Sequence, residues 1–341
     1  MEIKKLLSRL AIFFLGIPAI LAIVYFSQLH SLALHILILF AIITSSLEMH
    51  NLLSSKGKIA PKAFLTILCT LPTLCSYAAL WFNLDSSWIF ITFVFASILA
   101  CIYEIFSPRI NKVAKDNERT PTQIRNEVSS GVRGIVRSNK VSQSGTFPYF
   151  DASVGVCTLR TNQNNEIDFS FSIHAIISNV FLIFYCGLLP AFISMLTRYE
   201  FSTAYICTYF VLVFGCDSFA WFFGMLFGKN NRGFIKISPN KSIAGFVGGI
   251  LSTVGIAILC KFLFKVSFEQ VPYWGMALLG FGSAVFAITG DLLESLIKRS
   301  ANIKDSGKII MGRGGMLDSI DSLLFVIPFF YLIIRIFIAK A

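Results

Sequence analysis

Long apolar runs separated by short polar turns fill most of this chain. A helix needs ~20 mostly apolar residues to cross a bilayer. Windows of that kind lie at about 10–28, 33–53, 63–82, 87–106, 173–196, 203–227, 243–264, 273–294 and 322–339. The pattern predicts an all-α polytopic membrane protein of about nine transmembrane helices. They fall into an N-terminal transmembrane block, 1–106, of about four helices and a C-terminal block, 172–341, of about five. A polar excursion at 107–171, rich in Ser, Asn, Arg and Gly, lies between them. Short alternating runs such as Val132 to Arg137 allow a few strands there or a loosely ordered insertion. Long loops are thermodynamically cheap, so the excursion needs no catalytic part.

Composition agrees: 55% of residues are hydrophobic, 35 are Phe, and the mean hydropathy is +0.74. The net charge of +11 changes meaning once it is laid on the topology. With a cytoplasmic N-terminus, one side of the membrane receives Lys4, Lys5, Arg9, Lys56, Lys58 and Lys62, together with the basic residues of the excursion. The same side receives those from Lys229 to Lys241 and from Lys298 to Arg313. Arg198, Lys261, Lys265, Arg335 and Lys340 fall elsewhere. The positive-inside rule therefore explains the basicity, with attraction to anionic headgroups as a lesser term. Nucleic acid is not implied.

The eight Cys lie mostly inside spans, without a CxxC pair, and indicate neither disulfides nor zinc. His30, His35, His50 and His174 have no ligand spacing and read as packing or interfacial residues. The first apolar run begins close behind Lys4 and Lys5 and reads as a retained span. Short loops and no targeting signal suit a multi-pass protein of a bacterial inner (cytoplasmic) membrane.

Chemistry concentrates in the second block. Asp217, in Gly215-Cys-Asp-Ser-Phe-Ala-Trp221, is an acid inside an apolar helix, either functional or a satisfied structural acid. Ala220, Gly224 and Gly228 follow at four-residue spacing as a packing stripe. The loop from Gly228 to Ser242 carries four cations and a Ser-Pro-Asn-Lys turn ending at Lys241. Such a turn suits a phosphate, although cytoplasmic loops are basic anyway. The richest stretch is Gly290 to Asp321, with four Asp, one Glu, three Lys, two Arg and a Gly-Arg-Gly-Gly turn. On a continuing helix Asp291, Ser295 and Lys298 share one face, as do Asp318 and Asp321 on the next. Two carboxylate pairs suit Mg2+, and Lys298, Arg299, Lys304 and Arg313 suit phosphates, with Gly312, Gly314 and Gly315 letting backbone approach them. The plain alternative is a charged loop with helix caps.

At these residues the chain resembles the phosphatidate cytidylyltransferases. Ser295, Ile297, Lys298, Arg299, Lys304, Asp305, Gly307, Ile310, Gly314, Gly315, Met316, Asp318, Ile320 and Asp321 match that family's signature in register. Asp291 matches its preceding Gly-Asp, and Asp217 with the run to Lys229, and Ile237 to Lys241, resemble its upstream motifs. The match is strong over 172–341 and rests on hydropathy alone before that. Arg313, Ser319 and Met311 depart from the pattern, as does Ser242 to Gly245, and Arg313 with Ser319 read as a compensating exchange.

The resemblance implies transfer of CMP from CTP to phosphatidic acid at the cytoplasmic face, giving CDP-diacylglycerol and pyrophosphate. It implies Mg2+ on Asp291 and Asp318, with Asp321 and Asp217 as ligands or supports, and a monovalent cation such as K+ beside it. Asp291, Lys298, Arg299, Lys304, Asp318 and Asp321 become the catalytic set. Ser238, Lys241, Ser295, Asp305, Gly312, Arg313, Gly314 and Gly315 become the substrate-binding set. A homodimer is compatible with it. The rival readings are a CTP-dependent lipid-alcohol kinase, an inactive paralogue and a cation transporter.

Overall fold

The computed structural model describes residues 22–23, 31–106, 170–307, 309–310 and 314–338. The expected span at 10–28, apart from 22–23, and the excursion as far as residue 169 lie outside them. So do Met311, Gly312 and Arg313.

Eight helices are described: α1 Leu32–Ser54, α2 Lys62–Trp81, α3 Trp88–Ile105, α4, α5 Ser202–Phe227, α6 Ile243–Leu263, α7 Tyr273–Ser300 and α8 Leu317–Ile338. Helix α4 runs as Ser170–Leu182, a π turn Ile183–Leu188, and Leu189–Leu196. All eight are long and apolar enough to cross a membrane, and no strand occurs among the described residues. They pack as one unit. Helix α6 lies between α5 and α7, α7 lies against α8, and α8 reaches α4, which sits against α1 and α2.

Sequence explains the seams. Tyr209 on α5 is fully buried and donates to the Leu323 carbonyl of α8 at 2.7 Å, so its hydroxyl is satisfied across the interface. The stripe of Ala220, Gly224 and Gly228 meets Gly249, Gly245 and Ser242 of α6, as small residues must where two backbones approach. Helix α3 instead exposes Phe90, Ile91, Val94, Phe95 and Ile98, a face suited to lipid. In α4, Pro190 lacks an N–H and its ring crowds the carbonyl four residues back, so the helix widens into the π turn just before it. That turn buries Tyr185, Cys186 and Gly187.

Two boundaries differ from the hydropathy reading. Helix α7 continues to Ser300 rather than 294, and α8 begins at Leu317 rather than 322. Hydropathy fades at the first charges, but the helices continue because those charges are partnered: Lys298 by Glu294 at i,i+4, and Asp318 by loop donors.

Candidate active site at the α7–α8 junction

The last turn of α7, the loop after it and the first turn of α8 form one polar assembly. Lys298 Nζ bridges the carboxylates of Glu294, one turn back, and Asp318, at 2.6 Å from Oδ1. The side chains are 14%, 1% and 5% exposed respectively, so two carboxylates share one ammonium away from bulk water. Burying charges is tolerable only with such pairing. Asp318 Oδ2 accepts from the Ser306 N–H at 2.9 Å and the Gly315 N–H at 2.7 Å. Ser306 Oγ lies 3.0 Å from both Asp318 Oδ2 and Glu48 Oε2, so its single hydrogen serves one of them at a time.

The loop is folded for this purpose. Ile310 and Gly314 exchange N–H···O bonds of 2.9 and 3.1 Å. Gly314 sits at φ +111°, and a Cβ there would also meet Asp318 Oδ2 at 2.6 Å, so only glycine fits the turn. Glu48, from the far end of α1, accepts from the Met316 N–H at 3.0 Å and the Leu317 N–H at 2.8 Å. It thereby satisfies two donors that α8 leaves open at its start.

A second assembly lies at the α6–α7 seam. The turn Ser238–Lys241 closes through a 3.1 Å backbone bond. Ser242 then caps α6 by accepting the Gly245 N–H at 3.1 Å. That cap projects Lys241, which pairs with Asp291 of α7 and stands 5.8 Å above the Phe246 ring. Asp217, half-buried on α5, adjoins Cys216, which lies within electrostatic reach of Lys241 and Asp291.

Asp321 is buried near the crossing of α7 and α8, its Oδ1 accepting the Ser322 N–H at 2.7 Å. Gly290 lets the helices cross there, since a Cβ would stand 2.8 Å from the Asp321 carbonyl. Ser238 and Ser295 are half-buried, while Arg299, Lys304 and Asp305 are exposed around the loop. Ser319 Oγ donates to the Gly315 carbonyl at 3.3 Å.

The structure thus brings together Lys298, Asp318, Gly314 and Gly315, and separately Lys241 with Asp291. Three residues enter that the motif reading passed over. Glu294 is 1% exposed, and its Oε1 has no hydrogen-bond partner among the described residues. Tyr185, on the π turn of α4, buries an unpartnered hydroxyl within electrostatic reach of Asp321, Glu294 and Asp291. Glu48 is the third. Acid residues in apolar spans are functional candidates by default, so the signal for Glu48 and Glu294 was of the same kind as that for Asp217.

For a divalent metal, the donor set has the right chemistry: hard carboxylate oxygens, one of them a buried and unpartnered atom of Glu294. Among the described residues no three His, Cys, Asp or Glu side chains close on one point. The acids are held by Lys241 and Lys298. The residues fit a hard cation in type.

Known proteins bear on the same residues. The model of the Cytidylyltransferase family matches residues 7–337. The chain is similar to the phosphatidate cytidylyltransferase of Bacillus subtilis (strain 168), 37% identical over 146 residues, covering 43% of this chain and 53% of the relative. It is also similar to that of Staphylococcus haemolyticus (strain JCSC1435), 37% identical over 149 residues, covering 42% and 56%. That of Haemophilus influenzae (strain ATCC 51907 / DSM 11121 / KW20 / Rd) is 38% identical over 122 residues, covering 36% and 42%. The chain spans about half the length of the relatives it matches. With a family match running through both helical blocks and across the junction, the chain belongs to the cytidylyltransferase family.

Proposed function

We propose that the protein transfers CMP from CTP to phosphatidic acid, releasing pyrophosphate and leaving CDP-diacylglycerol in the membrane. The observation that carries this reading is that Lys298, Ser306, Gly315 and Asp318, all within the signature stretch, meet at one junction. There Lys298 and Asp318 are locked together while Arg299 and Lys304 stand exposed. The names of the relatives support the choice of substrates.

The lipid phosphate is already ionised and needs no general base. One of its oxygens forms a bond to the α-phosphorus of CTP. The bond from that phosphorus to the oxygen bridging to the β-phosphate breaks, and the electron pair leaves on that oxygen with pyrophosphate. Catalysis of such a step is positioning and charge stabilisation. Arg299 and Lys304, exposed, hold the triphosphate. Lys241 exchanges Asp291 for a phosphate oxygen, and Lys298 keeps Asp318 and Glu294 in register. Ser238, Ser295 and the backbone at Gly314 and Gly315 line the approach.

Asp291, Asp318 and Asp321, with Glu294 and Asp217 as further carboxylates, would hold Mg2+, with K+ as a companion ion. Bound there, Mg2+ would neutralise triphosphate charge and polarise the α-phosphoryl group. The basic loops support a reaction at the cytoplasmic face of a bacterial inner membrane, where CTP is dissolved. The test is purified protein with phosphatidic acid, CTP and Mg2+: the reading requires pyrophosphate and a liponucleotide in equal amounts. Release of CDP instead would identify a lipid-alcohol kinase.

A further inference from the structure

Glu48 lies on α1, in the block that the signature motifs do not reach, yet its hydrogen-bond partners among the described residues, Ser306, Met316 and Leu317, all fall within the signature stretch. It is 5% exposed. Its Oε2 accepts from the Leu317 N–H at 2.8 Å and lies 3.0 Å from Ser306 Oγ, and its Oε1 accepts from the Met316 N–H at 3.0 Å. The loop is also shaped around it. A Cβ at Gly307 would fall 2.2 Å from Oε1, and one at Gly315 would fall 2.4 Å from Oε2. The residues it grips adjoin those that grip Asp318: Ser306 and Gly315 give their N–H groups to Asp318 Oδ2, whose partner oxygen holds Lys298. A negative carboxylate at the start of α8 is favoured by the helix dipole as well as by these bonds.

We propose that Glu48 is a positioning residue for the transfer site: it clamps the loop between α7 and α8, and through it fixes Asp318 against Lys298. It touches no substrate. Through this side chain the first block acts on the chemistry, reaching 268 residues along the chain to Met316. The kinetic part of this inference rests on the transfer reading, and its structural part does not.

The test uses Glu48→Gln in the full chain. Gln keeps the shape but replaces one acceptor oxygen with an NH2 group, which faces an N–H donor badly. Expected are a fall in kcat of about 10–100-fold, the scale of lost supporting contacts around metal ligands, and KM for CTP and phosphatidic acid within about threefold. Amide exchange at Met316 and Leu317 accelerates in the same variant. Unchanged kcat with unchanged exchange overturns the proposal, as does a loss confined to KM.

A double-mutant cycle guards against a variant that merely unfolds. Gly307→Ala drives a methyl into Glu48 and should impair the protein severely. In a Glu48→Ala background the methyl meets no carboxylate, and the same change should do far less. Additive effects on melting and rate overturn the clamp. If the unmutated protein transfers no CMP, the transfer reading fails, and the exchange and melting arms still decide the role of Glu48.

Discussion

Two lysines hold carboxylates at this end of the helix bundle, and they do so in opposite ways. Lys298 is enclosed at the α7–α8 seam with Glu294 and Asp318, whose side chains are 1% and 5% exposed. Lys241, at the α6–α7 seam, pairs with Asp291, and the side chains are 22% and 37% exposed. In the first case desolvation makes every charge depend on the others, and loss of one partner from a buried pair costs about 3–5 kcal/mol. In the second, water screens the contact, and an exposed pair contributes about 0–1 kcal/mol. The first arrangement is suited to hold geometry. The second is suited to open, letting Lys241 leave Asp291 for a phosphate without loss of fold. The family's motifs therefore contain a fixed part, within the signature, and an exchangeable part, between the upstream motif and α7, and the difference lies in burial rather than residue type.

The largest effect should come from breaking the buried set. Lys298→Met leaves Glu294 and Asp318 facing each other, so thermal melting in detergent should show a loss of about 3–5 kcal/mol, with no measurable transfer. Adding Glu294→Gln removes one of the two facing acids and should restore much of the stability but none of the activity. A Lys298→Met protein that melts like the unmutated one would remove the distinction between the seams.

Gly290→Ala comes next, because it separates α7 from α8 without touching a charge. The added Cβ would stand 2.8 Å from the Asp321 carbonyl and 2.9 Å from Phe325 Cβ. Overpacking of this kind costs about 1–3 kcal/mol, and a partial loss of rate should accompany the drop in melting temperature.

Lys241→Ala should move stability by less than about 1 kcal/mol while raising KM for CTP or phosphatidic acid about tenfold. Melting that falls as far as in Lys298→Met would show the pair to be structural. The smallest effect is expected from salt. Raising ionic strength shortens screening to a few ångströms, so KM should climb modestly through Lys241, Arg299 and Lys304. The melting temperature, set by the buried seam, should hardly change.

Much of this architecture was legible in the chain. Hydropathy located the eight described helices because each is apolar around most of its surface. The spacing from Ser295 to Asp321 located the junction because charges and glycines there are so concentrated. The ends of α7 and α8 were misplaced by hydropathy, which cannot tell a charge that ends a span from one that is partnered within a helix. The widening of α4 follows from Pro190, yet its consequence, the burial of Tyr185 beside the acids, needs the packing of α4 on α8. Glu48 was visible as an acid in an apolar helix, but its partners lie more than 250 residues away, and no local period encodes that contact. Glu294 stood at i,i+4 to Lys298, and the face read from Asp291 through Ser295 drew attention from it. In the structure Asp291 turns to Lys241 instead.

The assembly around Asp318 is proposed to perform CMP transfer to a lipid phosphate. Its most direct test is purified protein in detergent with phosphatidic acid, Mg2+ and α-32P-labelled CTP, run beside Asp318→Asn. Label should appear in the lipid phase with matching pyrophosphate, and the Asn variant should melt cooperatively yet transfer nothing. Lipid labelling by Asp318→Asn at the unmutated rate, or none by the unmutated protein, would contradict it.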